Sequence, residues 1–257
     1  MHRHYRALLI GSCAGLLTLW APVKAAQDLG FGLGIPQAAN GVAAAPPITY
    51  SIAFNNAAYV GNNAGSGNFS AAFNNTASAP HQLLVVCVVG TTTNNPSSVI
   101  GVTYNSVPLT LGIYEGNGSA APRWTYEYYL LNPAAGSNAL AVTQSGGDYL
   151  VVTAATYTGA KQSGQPDNTA AGSTAAADTL TTGIATNNAN AWVTGCGQCP
   201  TAVAVGANET QRAYDTSFDT MLQFDSGGPV ASPSTTSYTT MGTTTAIINA
   251  LVSFQPG

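Results

Sequence analysis

Charge is the scarcest property of this sequence. Only 6% of its 257 residues are Asp, Glu, Lys or Arg, against roughly 25% in an ordinary globular protein. The part of the chain beyond residue 25 contains ten carboxylates but only three cations, Arg123, Lys161 and Arg212. Its formal charge is therefore −7. So few cations cannot neutralise a phosphate backbone or form a basic membrane-binding patch, so this composition excludes nucleic acid and anionic lipid surfaces as partners.

Groups that could perform catalysis are equally scarce. His81 is the only histidine beyond the first 25 residues, and the sequence contains no Gly-x-Ser-x-Gly elbow, so a Ser-His-Asp hydrolase is not expected. Glu127 is the best-placed carboxylate because it lies among tyrosines, but glycoside hydrolysis needs a facing partner that the sequence does not name. We expect Glu127 to pair with Arg123 or to contact water. The sequence therefore predicts no enzyme and no cofactor.

The first 25 residues have the order of regions that is typical of a secretory signal peptide. A basic segment (residues 2–6) precedes an apolar run (7–20) and a stretch of small residues (22–26). The run is shorter than the roughly 20 apolar residues that span a bilayer, so we expect no membrane span in the mature chain. Lipidation of Cys13, in a lipobox-like Ile-Gly-Ser-Cys string, is an alternative. Either reading predicts a secreted protein, extracellular or at the cell surface.

Three cysteines remain after the leader, namely Cys87, Cys196 and Cys199. A redox-active Cys-x-x-Cys pair needs a helix that begins at its first cysteine, whereas Cys196 follows a strand-like run. We expect Cys196 and Cys199 to form a loop disulfide in an oxidising compartment, with Cys87 as a buried thiol in an apolar strand. A Cys87–Cys196 bridge is the alternative, which the sequence alone leaves open.

The residue pattern of the chain beyond the leader indicates an all-β protein. Residues 26–47 are rich in Ala, Gly and Pro and are predicted to be a flexible arm, whereas residues 48–257 alternate short β-branched or aromatic runs with turn residues. We expect a single antiparallel β-sandwich of about a dozen strands. The predicted strands are Ile48–Phe54, Asn68–Phe73, Gln82–Val89, Val99–Tyr104, Val107–Leu111, Arg123–Leu131, Asn138–Thr143, Tyr149–Tyr157, Ala191–Gly195, Thr201–Val205, Phe218–Phe224 and Ala246–Phe254.

Two of these strands and one of the turns between them lead to more specific predictions. The near-continuous apolar run of Gln82–Val89 predicts a central strand that is buried on both faces. Asn105-Ser106 separates two strands by two residues, as a tight hairpin requires. Arg123–Leu131 alternates, which places Trp124, Tyr126 and Tyr128 on one face and the side chains of Arg123, Thr125 and Glu127 on the other.

Several strings resemble a loosely defined group of secreted bacterial and phage-associated β-sandwich modules, of jelly-roll or immunoglobulin-like type. The strings are Gln82–Gly90, Val99–Leu111, Tyr128–Gly136, Tyr157–Gln162 and the closing Ala246–Pro256. The resemblance covers residues 48–256 and implies a fold and a secreted location, with no shared activity and no catalytic residues. The segment from Cys196 to Cys199 departs from the group, in which a cysteine-free loop is expected there.

Two clusters are candidate binding sites. Aromatic rings stack on the C–H groups of sugars, so Trp124, Tyr126 and Tyr128 would form a carbohydrate platform if their face were exposed; the alternative is that they fill the core. The densest group of acids comprises Asp215, Asp219 and Asp225, which could supply oxygen ligands to calcium or lie in solvent.

We therefore expect a structural, adhesive or binding protein without catalysis. One alternative is a carbohydrate-binding module that uses exposed aromatics. Another is a self-assembling surface, filament or virion-like subunit, in which the 26–47 arm adds a strand to a neighbouring copy. The expected partners are glycans, surface proteins or further copies of the chain.

Overall fold

The computed structural model describes residues 49–63, 67–91, 99–117, 122–146, 149–217, 219–232 and 235–257. These residues belong to a compact unit that spans Pro47–Gly257. The predicted leader and the predicted 26–47 arm lie outside the described residues. Over the described ranges the chain forms strands and no helices, so the predicted all-β class is confirmed. No described helix is long and apolar enough to cross a membrane.

Fourteen strands are found over these ranges. In chain order they are β1 (Ala53–Asn63), β2 (Phe69–Asn75), β3 (Leu83–Thr91), β4 (Val99–Tyr104), β5 (Val107–Pro108), β6 (Thr110–Gly116), β7 (Arg123–Leu131), β8 (Gly136–Gln144), β9 (Tyr149–Thr158), β10 (Asn168–Ala185), β11 (Trp192–Cys199), β12 (Thr210–Asp215), β13 (Thr220–Asp225) and β14 (Thr235–Phe254).

The described strands form three antiparallel sheets. We call them the central sheet (β1-β9-β3-β7-β6), the four-stranded sheet (β2-β8-β4-β5) and the C-terminal sheet (β10-β14-β11-β13-β12). Side chains of β3 pack to both sides. Leu84 and Val86 join the core shared with the four-stranded sheet, whereas Leu83 and Val85 join residues of β11 and β14. The central strand buried on both faces is therefore confirmed, whereas three sheets are found where a single sandwich of two sheets was expected.

The four-stranded sheet contains the predicted tight hairpin. Asn105 and Ser106 both have positive φ, 50° and 64°, as the two central residues of a type I′ turn require, and Tyr104 pairs with Val107 across it. The ring of Tyr104 is fully buried in the core beneath, and its hydroxyl donates a hydrogen bond to the carbonyl oxygen of Gly136 at 3.0 Å. The turn therefore lies directly beside a buried tyrosine whose hydroxyl is hydrogen-bonded.

The two longest strands, β10 and β14, form a ribbon that folds back on itself. Register shifts between Thr174 and Thr179 bend β10, and Asn168 Nδ2 then donates to the carbonyl oxygen of Ala185 at 2.6 Å, so the two ends of β10 meet. We call residues 179–185 and 235–241 the distal ribbon. It covers the outer face of the C-terminal sheet and encloses a further core, which includes Ile184, Tyr238, Leu222, Phe224 and Leu251.

Several predicted strand limits are wrong. The first strand begins at Ala53 rather than Ile48, and β10 and β12 were not predicted. The predicted strand Thr201–Val205 is a loop, and its apolar content reflects the burial of Val203 against the core beneath the distal ribbon.

Candidate functional site

A buried disulfide joins the central sheet to the C-terminal sheet. Cys87 on β3 and Cys196 on β11 are bonded with their Cα atoms 5.8 Å apart, and neither side chain is exposed. The predicted Cys196–Cys199 pair is wrong. Residues three apart on a strand point to opposite faces, so the thiol of Cys199 lies in the outer core, where its Sγ is 3.1 Å from Thr245 Oγ1. The alternative bridge that the sequence left open is the one formed.

Polar residues flank this disulfide in both sheets. In the central sheet, Cys87 pairs with Glu127 of β7 on one side and with Thr153 of β9 on the other. In the C-terminal sheet, Cys196 pairs with Gln223 of β13. Opposed strand residues point to the same face, so these polar side chains are directed into the layer between the two sheets. We call this layer the interlayer.

Glu127 is the carboxyl group closest to the disulfide. It is 1% exposed, and its Oε2 lies 3.7 Å from Cys196 Sγ. Burial raises the pKa of Glu127 to about 8, an effect that a hydrogen bond from the hydroxyl of Thr194 partly offsets. Glu127 is therefore mainly protonated at neutral pH. The expected pairing of Glu127 with Arg123 is wrong, because Arg123 lies beside a different carboxylate, Asp219.

At one end of the interlayer, Asp219 binds that arginine. Arg123 Nε lies 3.3 Å from Asp219 Oδ2, and the hydroxyl of Thr91 donates to the same oxygen. The Nε2 of Gln198 donates to it as well, at 3.2 Å, while the hydroxyl of Thr125 donates to Gln198 Oε1 at 3.1 Å. The carboxylate is thus neutralised and hydrogen-bonded from both sheets.

At the other end, Asp225 is fully buried and paired with Arg212. The guanidinium donates two hydrogen bonds, of 2.6 and 2.9 Å, and lies over the ring of Phe54, 3.9 Å from its centroid. The hydroxyl of Tyr157 also donates to Asp225 at 3.0 Å. Burial, and then the charge of Asp225, raise the pKa of Tyr157 well above its ordinary value. This end too is closed by internal pairing.

The predicted calcium site is not formed. Asp219 and Asp225 flank β13 at its two ends, about 20 Å apart at the usual rise per residue of a strand, and each is paired with an arginine. Asp215 accepts a hydrogen bond from the hydroxyl of Ser217 at 2.6 Å. Over the described ranges, no three His, Cys, Asp or Glu side chains cluster as a metal site would require.

The predicted aromatic platform is buried. Tyr126 and Tyr128 are 4% and 6% exposed, and Trp124 packs against the same core. The alternative, that these rings fill the core, is therefore the correct one. The row of rings nevertheless continues to the surface through Tyr114 of β6, which is 53% exposed and stacks on Tyr126 with the ring centroids 5.9 Å apart.

Tyr114 has an exposed apolar neighbour on the same strand. Leu111, which is 41% exposed, pairs with Tyr128, while Tyr114 pairs with Tyr126. Alternate residues of β7 point to one face, so these two partners place Leu111 and Tyr114 on the same side of the central sheet. We call this pair the tyrosine edge. The sequence prediction missed it because the predicted strand ended at Leu111.

Comparisons with known proteins add no further constraint. No family model matches the chain, and no curated protein or solved structure matches it. The geometry of the two sites therefore carries the functional argument. The interlayer is a closed layer whose three acids are bonded within the protein, whereas the tyrosine edge exposes part of the Tyr114 side chain to solvent.

Proposed function

We propose that this protein is an exported, non-catalytic β-scaffold with a structural or adhesive role outside the cell or at its surface. The observation that carries the proposal is the buried Cys87–Cys196 disulfide, which links two sheets across 109 residues of sequence. Structural disulfides of this kind form and persist in oxidising compartments. The signal-peptide pattern of residues 1–25 agrees with such a location.

The burial of the acids in the interlayer supports the absence of catalysis. The three acids of the interlayer, Glu127, Asp219 and Asp225, are at most 5% exposed and are satisfied by partners within the protein. Catalytic acids and bases must instead reach a substrate. These three carboxyls instead form hydrogen bonds and ion pairs with groups of the two sheets.

A specific observation also supports a binding role. The exposed ring of Tyr114 is held in place by stacking on Tyr126 and by contact with Trp124. A rigid ring face loses little conformational entropy on binding, and it stacks well on the C–H groups of a sugar. Only 6% of the residues are charged. We therefore expect uncharged glycans to bind better than ionic partners.

Export can be tested by expressing the full chain in a bacterial host, with a chain that lacks residues 1–25 as the control. The expected product is processed, lies outside the cytoplasm, and contains one thiol that reacts with an alkylating agent after unfolding without reductant. That thiol belongs to Cys199. A full-length chain that stays in the cytoplasm, or a processed chain with three reactive thiols, contradicts the proposal.

Binding can be tested with a glycan array probed by the folded protein and two variants. Tyr114→Ala should lose at least tenfold in affinity for any glycan that binds. Tyr59→Ala is the matched control, because Tyr59 is a similarly exposed tyrosine (40%) on β1, at the opposite edge of the central sheet. If no glycan binds, or if both variants bind as the parent does, the tyrosine edge is not a carbohydrate site.

A further inference from the structure

A buried asparagine lies beneath the distal ribbon. Asn249 of β14 is 0% exposed and pairs with Gly172 on one side and with Gly197 on the other. Its side chain lies on the outer face of the C-terminal sheet, because Ile247 and Leu251, two residues away in each direction, belong to the outer core. The amide is therefore placed between two residues that have no side chain.

Two threonine hydroxyls of the distal ribbon lie over these glycines. Thr182 Oγ1 is 2.9 Å from where a Cβ of Gly172 would be, and Thr240 Oγ1 is 3.2 Å from the corresponding position at Gly197. Opposed Cβ positions in an antiparallel pair are about 4.5–5.5 Å apart. The two hydroxyls thus lie over the two glycines that flank Asn249, one on each side of it.

These polar atoms lack protein partners. Among the described residues, neither Oδ1 nor Nδ2 of Asn249 is hydrogen-bonded, and the same holds for the hydroxyls of Thr182 and Thr240. Burying an amide or hydroxyl without a hydrogen bond destabilises the folded state, because the group loses its hydration and gains no partner. Buried polar groups in folded proteins are almost always paired, either with protein or with ordered water.

We infer that Asn249, Thr182 and Thr240 form a binding site for an internal water molecule. The site provides what such a water requires, which is about three hydrogen-bonding partners that include both donors and acceptors. Amide Nδ2 donates to the water, amide Oδ1 accepts from it, and each hydroxyl can rotate to do either. The water links Thr182 and Thr240 of the distal ribbon to Asn249 beneath them. This inference does not depend on the proposed function.

The experiment counts long-lived internal waters by oxygen-17 magnetic relaxation dispersion and locates them in a high-resolution crystal structure. The parent protein is expected to show a water within hydrogen-bonding distance of Asn249 and at least one of the threonines. Asn249→Leu should lose one long-lived water from the count. Asn75→Leu is the matched control, since Asn75 is also buried but bonds to protein carbonyls and to Gln82, and it should keep the count unchanged.

Thr240→Val is a second, nearly isosteric variant, used if Asn249→Leu does not fold. It should shorten the residence time of the water because one of its partners is removed. The inference is overturned if the parent crystal shows the Asn249 amide bonded directly to Thr182 or Thr240 with no water between them. It is also overturned if a folded Asn249→Leu protein keeps the full count.

Discussion

Replacing Glu127 with glutamine should remove a pH dependence that burial imposes on the stability of the fold. The carboxyl lies in the interlayer beside the disulfide, with a pKa of about 8 in place of its ordinary value of 4.5. Glutamine has nearly the same shape, keeps an oxygen that accepts the hydrogen bond from Thr194, and does not ionise.

The sign and size of the effect follow from the pKa. Between pH 4.5 and 8, Glu127 is protonated in the folded protein and ionised in the unfolded chain, so the folded state binds more protons. The free energy of unfolding therefore falls as the pH rises, and it levels off above pH 8. A pKa raised from 4.5 to about 8 corresponds to a loss of about 5 kcal/mol at most, at about 1.4 kcal/mol for each pKa unit. Typical domains are stable by about 5–15 kcal/mol in total.

The assay is urea unfolding at a series of pH values from 5 to 9, without reductant so that the disulfide stays intact. The parent protein should become less stable across this series, and Glu127→Gln should show a much smaller decline. Glu115→Gln, which removes a carboxyl outside the interlayer, should behave as the parent does. A parent whose stability stays flat or rises between pH 5 and 8, or a Glu127→Gln protein with the same decline, would refute the reasoning.

Three other substitutions test the core and the interlayer by the same unfolding measurement. Cys87→Ser should destabilise the protein by about 4–5 kcal/mol, because it opens a loop of 109 residues; equal stability with and without the bridge would contradict this. Asp225→Asn should cost about 3–5 kcal/mol, because it leaves the buried charge of Arg212 unpaired; a cost below 1 kcal/mol would show that solvent reaches the pair. Gly195→Ala should cost about 1–3 kcal/mol, because the added methyl group would collide with the ring of Phe224; a neutral effect would mean that the ring can move.

Local patterns of the sequence predicted the parts of the fold that depend on local chemistry. Alternation along Arg123–Leu131 gave the correct two faces of β7, and the apolar run around Val86 gave the correct central strand. The hairpin at Asn105 also followed, because its turn needs residues that tolerate positive φ. In each case the deciding residues are neighbours in the chain.

What the sequence could not provide is the stacking of sheets. A period of two shows which residues share a face, but it does not show that the four-stranded sheet covers the face of Tyr126. The prediction of an exposed aromatic platform was therefore wrong. The bridge from Cys87 to Cys196 depends on the same stacking. β10 was missed because its first half is mostly Ala, Thr and Gly, although Leu180, Thr182 and Ile184 in its distal half alternate and could have been recognised.

The position of β14 has a consequence for the order in which the protein can fold. β14 lies inside the C-terminal sheet, between β10 and β11, yet it is synthesised after every other described strand of that sheet. Asn168 can pair with Ser253 only after residue 253 has been synthesised. Such long-range pairings form slowly, because the entropy of the intervening loop is lost before the stabilising contacts are made. The C-terminal sheet is therefore completed only when synthesis reaches residue 254, whereas every strand of the other two sheets is present by residue 158. If the leader directs the chain to a translocation channel, the C-terminal sheet is the part of the fold that stays unpaired longest.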